Sequence, residues 1–192
     1  MSAESVLGTL RARKTLAEIN LIRNAVATTE KIYSSTYEFI QPGLTEQQVG
    51  EFMWAQMNDL GVTEAWERSG CPTINAGPDS PVGHSGPSSR KIERGQILHF
   101  DFGVKQDGYC SDIQRVVYFL APGQSRPPEP VKHGFDTIVK AIHASAAAMK
   151  PGVKGREIDA IARGIVTGAG YPEYKYGTGH HLGRTTHEAP GC

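Results

Sequence analysis

Two passages of this sequence, 109 positions apart, follow one plan. Each reads as a helix, a Pro-Gly break and a second helix, and they align without a gap. Pro42 matches Pro151, Gly43 matches Gly152, Leu44 matches Val153, Gln48 matches Glu157, Val49 matches Ile158 and Gly61 matches Gly170. Helix-turn-helix connectors share a composition, so coincidence is one explanation. A duplicated α/β half-domain is the other.

In the first copy, apolar residues recur at helical spacing from about Lys14 to Glu38, through Ile19, Ile22, Ala25 and Ile32. After Pro42-Gly43, Thr45 stands three residues before Gln48, a capping box that opens a helix closing at Gly61. The second copy predicts a helix over 131–149 and another from the break to about Gly170. Between the copies lie a Gly/Pro/Ser-rich stretch, Cys71 to Ser89, and two strand-like segments, Gln96 to Val104 and Tyr109 to Leu120, joined at Asp107-Gly108. The second copy runs instead into a Gly/His-rich loop from Tyr174 to Cys192, where the chain ends. The expectation is a single α+β domain over residues 1–192, built of two like halves, the second lacking its hairpin.

Composition narrows the function classes. Twenty basic residues balance twenty acidic ones, which argues against a nucleic-acid or anionic-membrane partner. No apolar run is long enough to span a bilayer and the first residues lack a signal-peptide core, so a soluble cytoplasmic protein is expected. Cys71, Cys110 and Cys192 are far apart and show no Cys-x-x-Cys spacing, which gives them structural roles.

Asp101 lies in the middle of an apolar strand, Leu98 to Gly103, where an isolated carboxylate is costly to bury. Asp112 does the same across the hairpin. A two-residue turn at Asp107-Gly108 would set Asp101 opposite Gln114 and put Asp112 diagonally on the same face. A four-residue loop would set the two aspartates directly opposite, and a three-residue loop would point them apart. Either even-length loop makes a carboxylate pair that needs a proton or a metal between its members. The plainer reading is that Asp101 caps a turn or pairs with a cation such as Arg115.

Three of the seven histidines crowd into the loop Gly177 to Pro190, as His180, His181 and His187, among glycines that let backbone approach a site closely. An imidazole joined to two carboxylates suits Mn, Co, Fe or Zn. His84, in Val82-Gly83-His84-Ser85, lies in the corresponding loop of the first half.

With these motifs in order, Asp101-(x)10-Asp112, His180-His181-Leu182-Gly183 and His187-Glu188-Ala189-Pro190, the chain resembles the metallopeptidase family of methionine aminopeptidase, aminopeptidase P and prolidase, which has the duplicated pita-bread fold. The likeness covers nearly the whole chain. It implies that Asp101, Asp112 and His180 are metal ligands and that His84 and His187 bind substrate and stabilise the tetrahedral intermediate. Asp112 to Arg115, and the opening Arg11 to Ile19, are most similar to the Xaa-Pro-cleaving branch. The resemblance therefore implies an exopeptidase with two divalent ions (Mn, Co or Zn) and a metal-bound hydroxide, acting on short peptides with proline in second position. Gln114 stands where a threonine is usual, and His99, which shares Asp101's strand parity, fills a position that usually carries another side chain.

The same resemblance implies two further glutamate ligands downstream of the His-Glu-x-Pro motif, beyond Cys192. Residues 1–192 are therefore expected to bind metal weakly or not at all, to be inactive alone, and to self-associate through an uncovered sheet edge and apolar surface. Two rival readings are a non-catalytic binding module on the same fold and a metal-free creatinase-like amidinohydrolase.

Overall fold

The computed structural model describes residues 4–80 and 85–188. The chain forms two compact units, 1–125 with 182–189, and 126–181 with 190–192.

The first unit begins with α1 (Glu4–Ala12), a helix not read from the sequence, and α2 (Leu16–Phe39). A capping box starts α2: the Glu18 N–H donates to Thr15 Oγ1 at 3.3 Å and the Thr15 N–H donates to Glu18 Oε2 at 2.8 Å. The same device starts α3 (Glu46–Asp59), as the sequence indicated, with Gln48 N–H to Thr45 Oγ1 at 3.2 Å and Thr45 N–H to Gln48 Oε1 at 2.8 Å. Six strands follow, β1 (Thr63–Glu64), β2 (Thr73–Ala76), β3 (Ile97–Phe102), β4 (Val104–Gln106), β5 (Tyr109–Cys110) and β6 (Ile113–Tyr118). They make two small antiparallel sheets, ordered β1-β4-β5 and β2-β3-β6. Strand β2 falls within the stretch read as irregular loop.

The long hairpin is one ladder bent in the middle. Residues facing each other sum to 215 on both sides of the bend, from Gln106↔Tyr109 to Ile97↔Tyr118, so no residue is inserted. Asp107 (φ 52) and Gly108 (φ 80) both take positive φ, the requirement of a two-residue type I′ turn. The bend falls at Gly103, where a Cβ would lie 2.0 Å from the Ser111 carbonyl oxygen; only glycine admits so close a crossing. Helix α2 grips the bend: Thr29 Oγ1 and Ser111 Oγ are 2.6 Å apart, and the Tyr33 hydroxyl donates to the Ile113 carbonyl at 2.7 Å. Leu98, Phe100 and Phe102 turn their side of β3 into the core with Ile32, Tyr33, Val49, Met53 and Ile74, all buried. Alternation along the strand puts Ile97, His99 and Asp101 on the opposite face.

The second unit holds α4 (Glu129–Ala148) and α5 (Gly155–Gly168), packed through Ala141, Ala162 and Val166, and no strand among its described residues. The repeat is visible in the backbone. Gly43 and Gly152 have φ of 100° and 92°, Gly61 and Gly170 have 66° and 89°, and the Lys154 N–H donates to Glu157 Oε2 at 2.8 Å, as Thr45 does to Gln48. Ile142, which is 109 positions after Tyr33, is about half exposed with Ile138 and Phe135. In the first unit, Tyr33 instead packs edge-on against Phe100 and Phe102, each at 5.8 Å.

Candidate metal centre

Asp101 occupies the polar face of the β2-β3-β6 sheet, opposite Thr73 on one side and Gln114 on the other. It is 6 % exposed, which makes its charge expensive without a counter-charge or hydrogen bonds. Gln114 Nε2 donates to Asp101 Oδ2 at 3.3 Å. Asp112 is half-buried in the interrupted part of the ladder, two residues before Gln114 in an unbroken register. A strand period carried through this part would set it diagonally from Asp101 on the same side. Arg115, the cation of the plainer alternative, lies 3.8 Å from Glu30 and over the Tyr33 ring.

The loop that bears His187 belongs to the same unit and is fastened to the hairpin. The Cys110 N–H donates to the Gly183 carbonyl at 2.7 Å, two residues before Asp112, and Thr186 Oγ1 donates to the Ala65 carbonyl at 2.8 Å. Glu188 anchors the loop from within: Lys14 Nζ lies 2.9 Å from Oε2 and the Arg184 N–H donates to Oε1 at 2.7 Å. Burial pushes the Glu188 carboxyl up, but Lys14 and the Arg184 amide outweigh it and leave the group below its ordinary value. A Cβ at Gly183 would come within 2.7 Å of the Glu188 carboxylate, which would then have to shift from these partners. His187 itself is exposed, with its carbonyl accepting from Thr185 Oγ1 at 2.9 Å. Nearby, Tyr109 donates to Glu18 Oε1 at 2.8 Å while the Arg184 guanidinium stands over the Tyr109 ring. The Thr15 amide, with help from Tyr109, brings the Glu18 carboxyl down to about 2.

His180 belongs to the second unit, at the end of a loop organised by α5. Arg163 pairs with Asp159 and donates to the carbonyls of Tyr174 and Tyr176, both at 2.6 Å; Asp159 Oδ1 accepts from the Thr178 N–H at 2.9 Å. The His180 ring is exposed, with Nδ1 3.2 Å from the His181 carbonyl oxygen. His84 lies outside the described residues, as do Pro190 and Cys192.

Two participants were missed in the sequence. Glu46, 1 % exposed, accepts from the Ala76 N–H, Ser80 Oγ, the Ser88 N–H and Ser88 Oγ, at 2.6 to 3.2 Å, and so pins both ends of the segment that contains His84. Lys14 is the other, and its signal was its place in the Arg11 to Ile19 motif. Cys71 is buried, and burial pushes its thiol up to about 12, while Cys110 is raised for the same reason; neither is suited to nucleophilic work.

Asp101 and Asp112 carry oxygen donors of the hard type, whose chemistry suits a divalent ion. Among the described residues no three His, Cys, Asp or Glu side chains gather into a complete binding group.

The family model for metallopeptidase family M24 matches residues 20–192. The chain belongs to that family. It is 30 % identical over 189 residues to the Xaa-Pro dipeptidase of Lactobacillus helveticus, covering 97 % of this chain and 49 % of that protein. Among solved structures, the Xaa-Pro dipeptidase from Bacillus anthracis superposes with a TM-score of 0.87 at 30 % identity, over 100 % of this chain and 51 % of that one. The prolidase from Pyrococcus furiosus gives 0.87 at 30 % identity, over 97 % and 53 %. The fold is thus the α+β pita-bread fold of the M24 family, near its Xaa-Pro dipeptidase, prolidase and aminopeptidase P members, and the chain spans about half the length of these relatives. No helix among the described residues is long and apolar enough to cross a membrane.

Proposed function

We propose that the whole protein is a metal-dependent exopeptidase that releases the N-terminal residue of short peptides, with proline preferred in the second position. The observation that supports this reading is the hairpin register, which faces the nearly buried Asp101 with Gln114, two residues after Asp112, in an M24 chain. Asp101, Asp112 and His180 would hold divalent ions, Mn, Co or Zn, with the remaining ligands supplied by the part of the protein outside residues 1–192. When bound, such ions supply Lewis acidity and make a water molecule acidic enough to attack a carbonyl.

The protein's own groups do the rest. The two aspartates would provide the negative charge that draws cations to this face, where Asp101 itself is nearly buried. His84 and His187 would hydrogen-bond the scissile carbonyl oxygen as it becomes negative and pass a proton to the departing amine. The anchors on Glu188 hold the loop of His187 in place, and a donor aimed in advance costs no reorganisation when charge develops.

The test is an assay of the whole protein on an Xaa-Pro dipeptide, on a longer peptide and on creatine, with Mn or Co and with a chelator. Release of the N-terminal residue that the chelator abolishes is the expected result. Creatine hydrolysis indifferent to the chelator, or no hydrolysis with any metal, overturns the proposal.

A further inference from the structure

Asp101 is the end of a hydrogen-bonded row that crosses the polar face of the sheet. Gln114 Nε2 donates to Asp101 Oδ2 at 3.3 Å, and Gln114 Oε1 lies 3.3 Å from His99 Nε2. His99 Nδ1 lies 3.2 Å from Asn75 Oδ1, and Asn75 stands opposite His99 in the ladder. Asn75 Nδ2 in turn donates to Ser80 Oγ at 3.1 Å, and Ser80 Oγ donates to the buried Glu46 carboxylate at 3.2 Å.

The direction of these bonds is set by chemistry. An ionised carboxylate only accepts, so Gln114 must present its amino group to Asp101 and its carbonyl to the ring. His99 Nε2 therefore carries a hydrogen and donates it. Gln114 is exposed, and an exposed glutamine held in one orientation gives up rotamer freedom that a partner must offset. His99, half-buried in the ladder opposite Asn75, supplies that restraint through its Nε2.

We propose that His99 and Gln114 are positioning residues for Asp101: through the Gln114 amide, the ring holds the Asp101 side chain in one rotamer and places an N–H on one of its carboxylate oxygens. Hydrogen bonds to a ligating carboxylate tune both its orientation and its donor strength. The inference rests on the reading of Asp101 as a metal ligand for its consequence, not for its geometry.

Two measurements separate these. The first uses NMR on the whole protein without metal: three-bond couplings report the Asp101 rotamer. One rotamer is expected in the unaltered chain, averaging in Gln114→Ala and in His99→Leu, and no further averaging in the double variant. Gln114 is exposed, so its variant carries little folding risk, and a single fixed rotamer in Gln114→Ala overturns the proposal.

The second is Mn affinity of the whole protein by calorimetry. His99→Leu should weaken binding by about tenfold to a hundredfold, and by less than about twofold once Gln114 is alanine. Equal losses in the two backgrounds mean that His99 acts by another route and overturn the relay. Unchanged affinity in Asp101→Asn instead removes the metal reading and leaves the rotamer result to decide the relay.

Discussion

Replacing Lys14 with methionine tests whether the loop of His187 is held by a buried charge pair. Lys14 and Glu188 are separated by 174 positions in sequence and 2.9 Å in space, with side-chain exposures of 12 % and 2 %. Those exposures decide the regime. A solvated pair contributes about 0–1 kcal/mol, whereas removing one partner of a buried pair costs about 3–5 kcal/mol because the other charge stays buried. Glu188 keeps the Arg184 N–H at 2.7 Å, so the low end applies, about 3 kcal/mol. For a chain of this size that corresponds to a fall in Tm of roughly 6–12 °C.

The pH dependence has a definite sign. Glu188 titrates below its ordinary value of 4.5 in the fold, so its contribution is fully present above 4.5 and is lost as pH falls through the lowered folded value. In Lys14→Met burial acts with less opposition, and the deficit relative to the unaltered chain should shrink as pH drops and Glu188 takes up a proton. Thermal melts at pH 7 and pH 4 read this, with hydrogen exchange of the Arg184 N–H reporting the loop itself. The double variant Lys14→Met/Glu188→Gln should recover part of the loss, since no charge is left buried. A Lys14→Met chain within about 0.5 kcal/mol of the unaltered one at pH 7 would refute the anchor.

Three further outcomes are expected. Gly103→Ala should break the bend of the hairpin, since the new methyl meets the Ser111 carbonyl oxygen at 2.0 Å; loss of the slowly exchanging Ser111 N–H reads it, and an unchanged exchange rate and Tm would contradict the crossing. A ¹³C-detected titration should place the Glu18 carboxyl at about 2, so that its stabilising effect is complete above 4.5 and disappears as pH falls toward 2; a midpoint at the ordinary 4.5 would mean that the Thr15 and Tyr109 bonds do not persist in solution. Cys71, raised to about 12, should resist alkylation at pH 8 in the folded chain and react quickly in denaturant, with peptide mapping to separate it from the other cysteines.

Where the sequence held a local rule, it could be read to the residue. Asp107-Gly108 is a two-residue turn signal that left longer loops open, and the structure takes the two-residue turn, which faces Asp101 with Gln114. Thr45 and Gln48 marked the start of α3 because a capping box is local chemistry. The matched Gly43 and Gly152, and Gly61 and Gly170, announced the repeat because each must close a helix-break-helix unit at positive φ. What escaped depends on contacts between distant segments. The bend at Gly103 reflects the close approach of Ser111, and β2 is a four-residue strand whose pairing with β3 outweighs the Gly/Pro/Ser-rich context around it. Glu46 looked like an ordinary acid in the first turn of a helix, and only the fold brings Ala76, Ser80 and Ser88 to it. Similarly, nothing near Glu188 in sequence pointed to Lys14.

If Asp101 and Asp112 share a face of the hairpin in order to hold metal, both must be needed for it. Isothermal calorimetry of Mn binding to the whole protein, set beside Asp101→Asn and Asp112→Asn, tests this most directly, because a neutral amide of the same size keeps the fold and removes the anionic donor. Tight binding is expected in the unaltered protein, with its loss in both variants and the fold intact by circular dichroism. Retention of tight binding in either variant would contradict the assignment of the two aspartates as ligands.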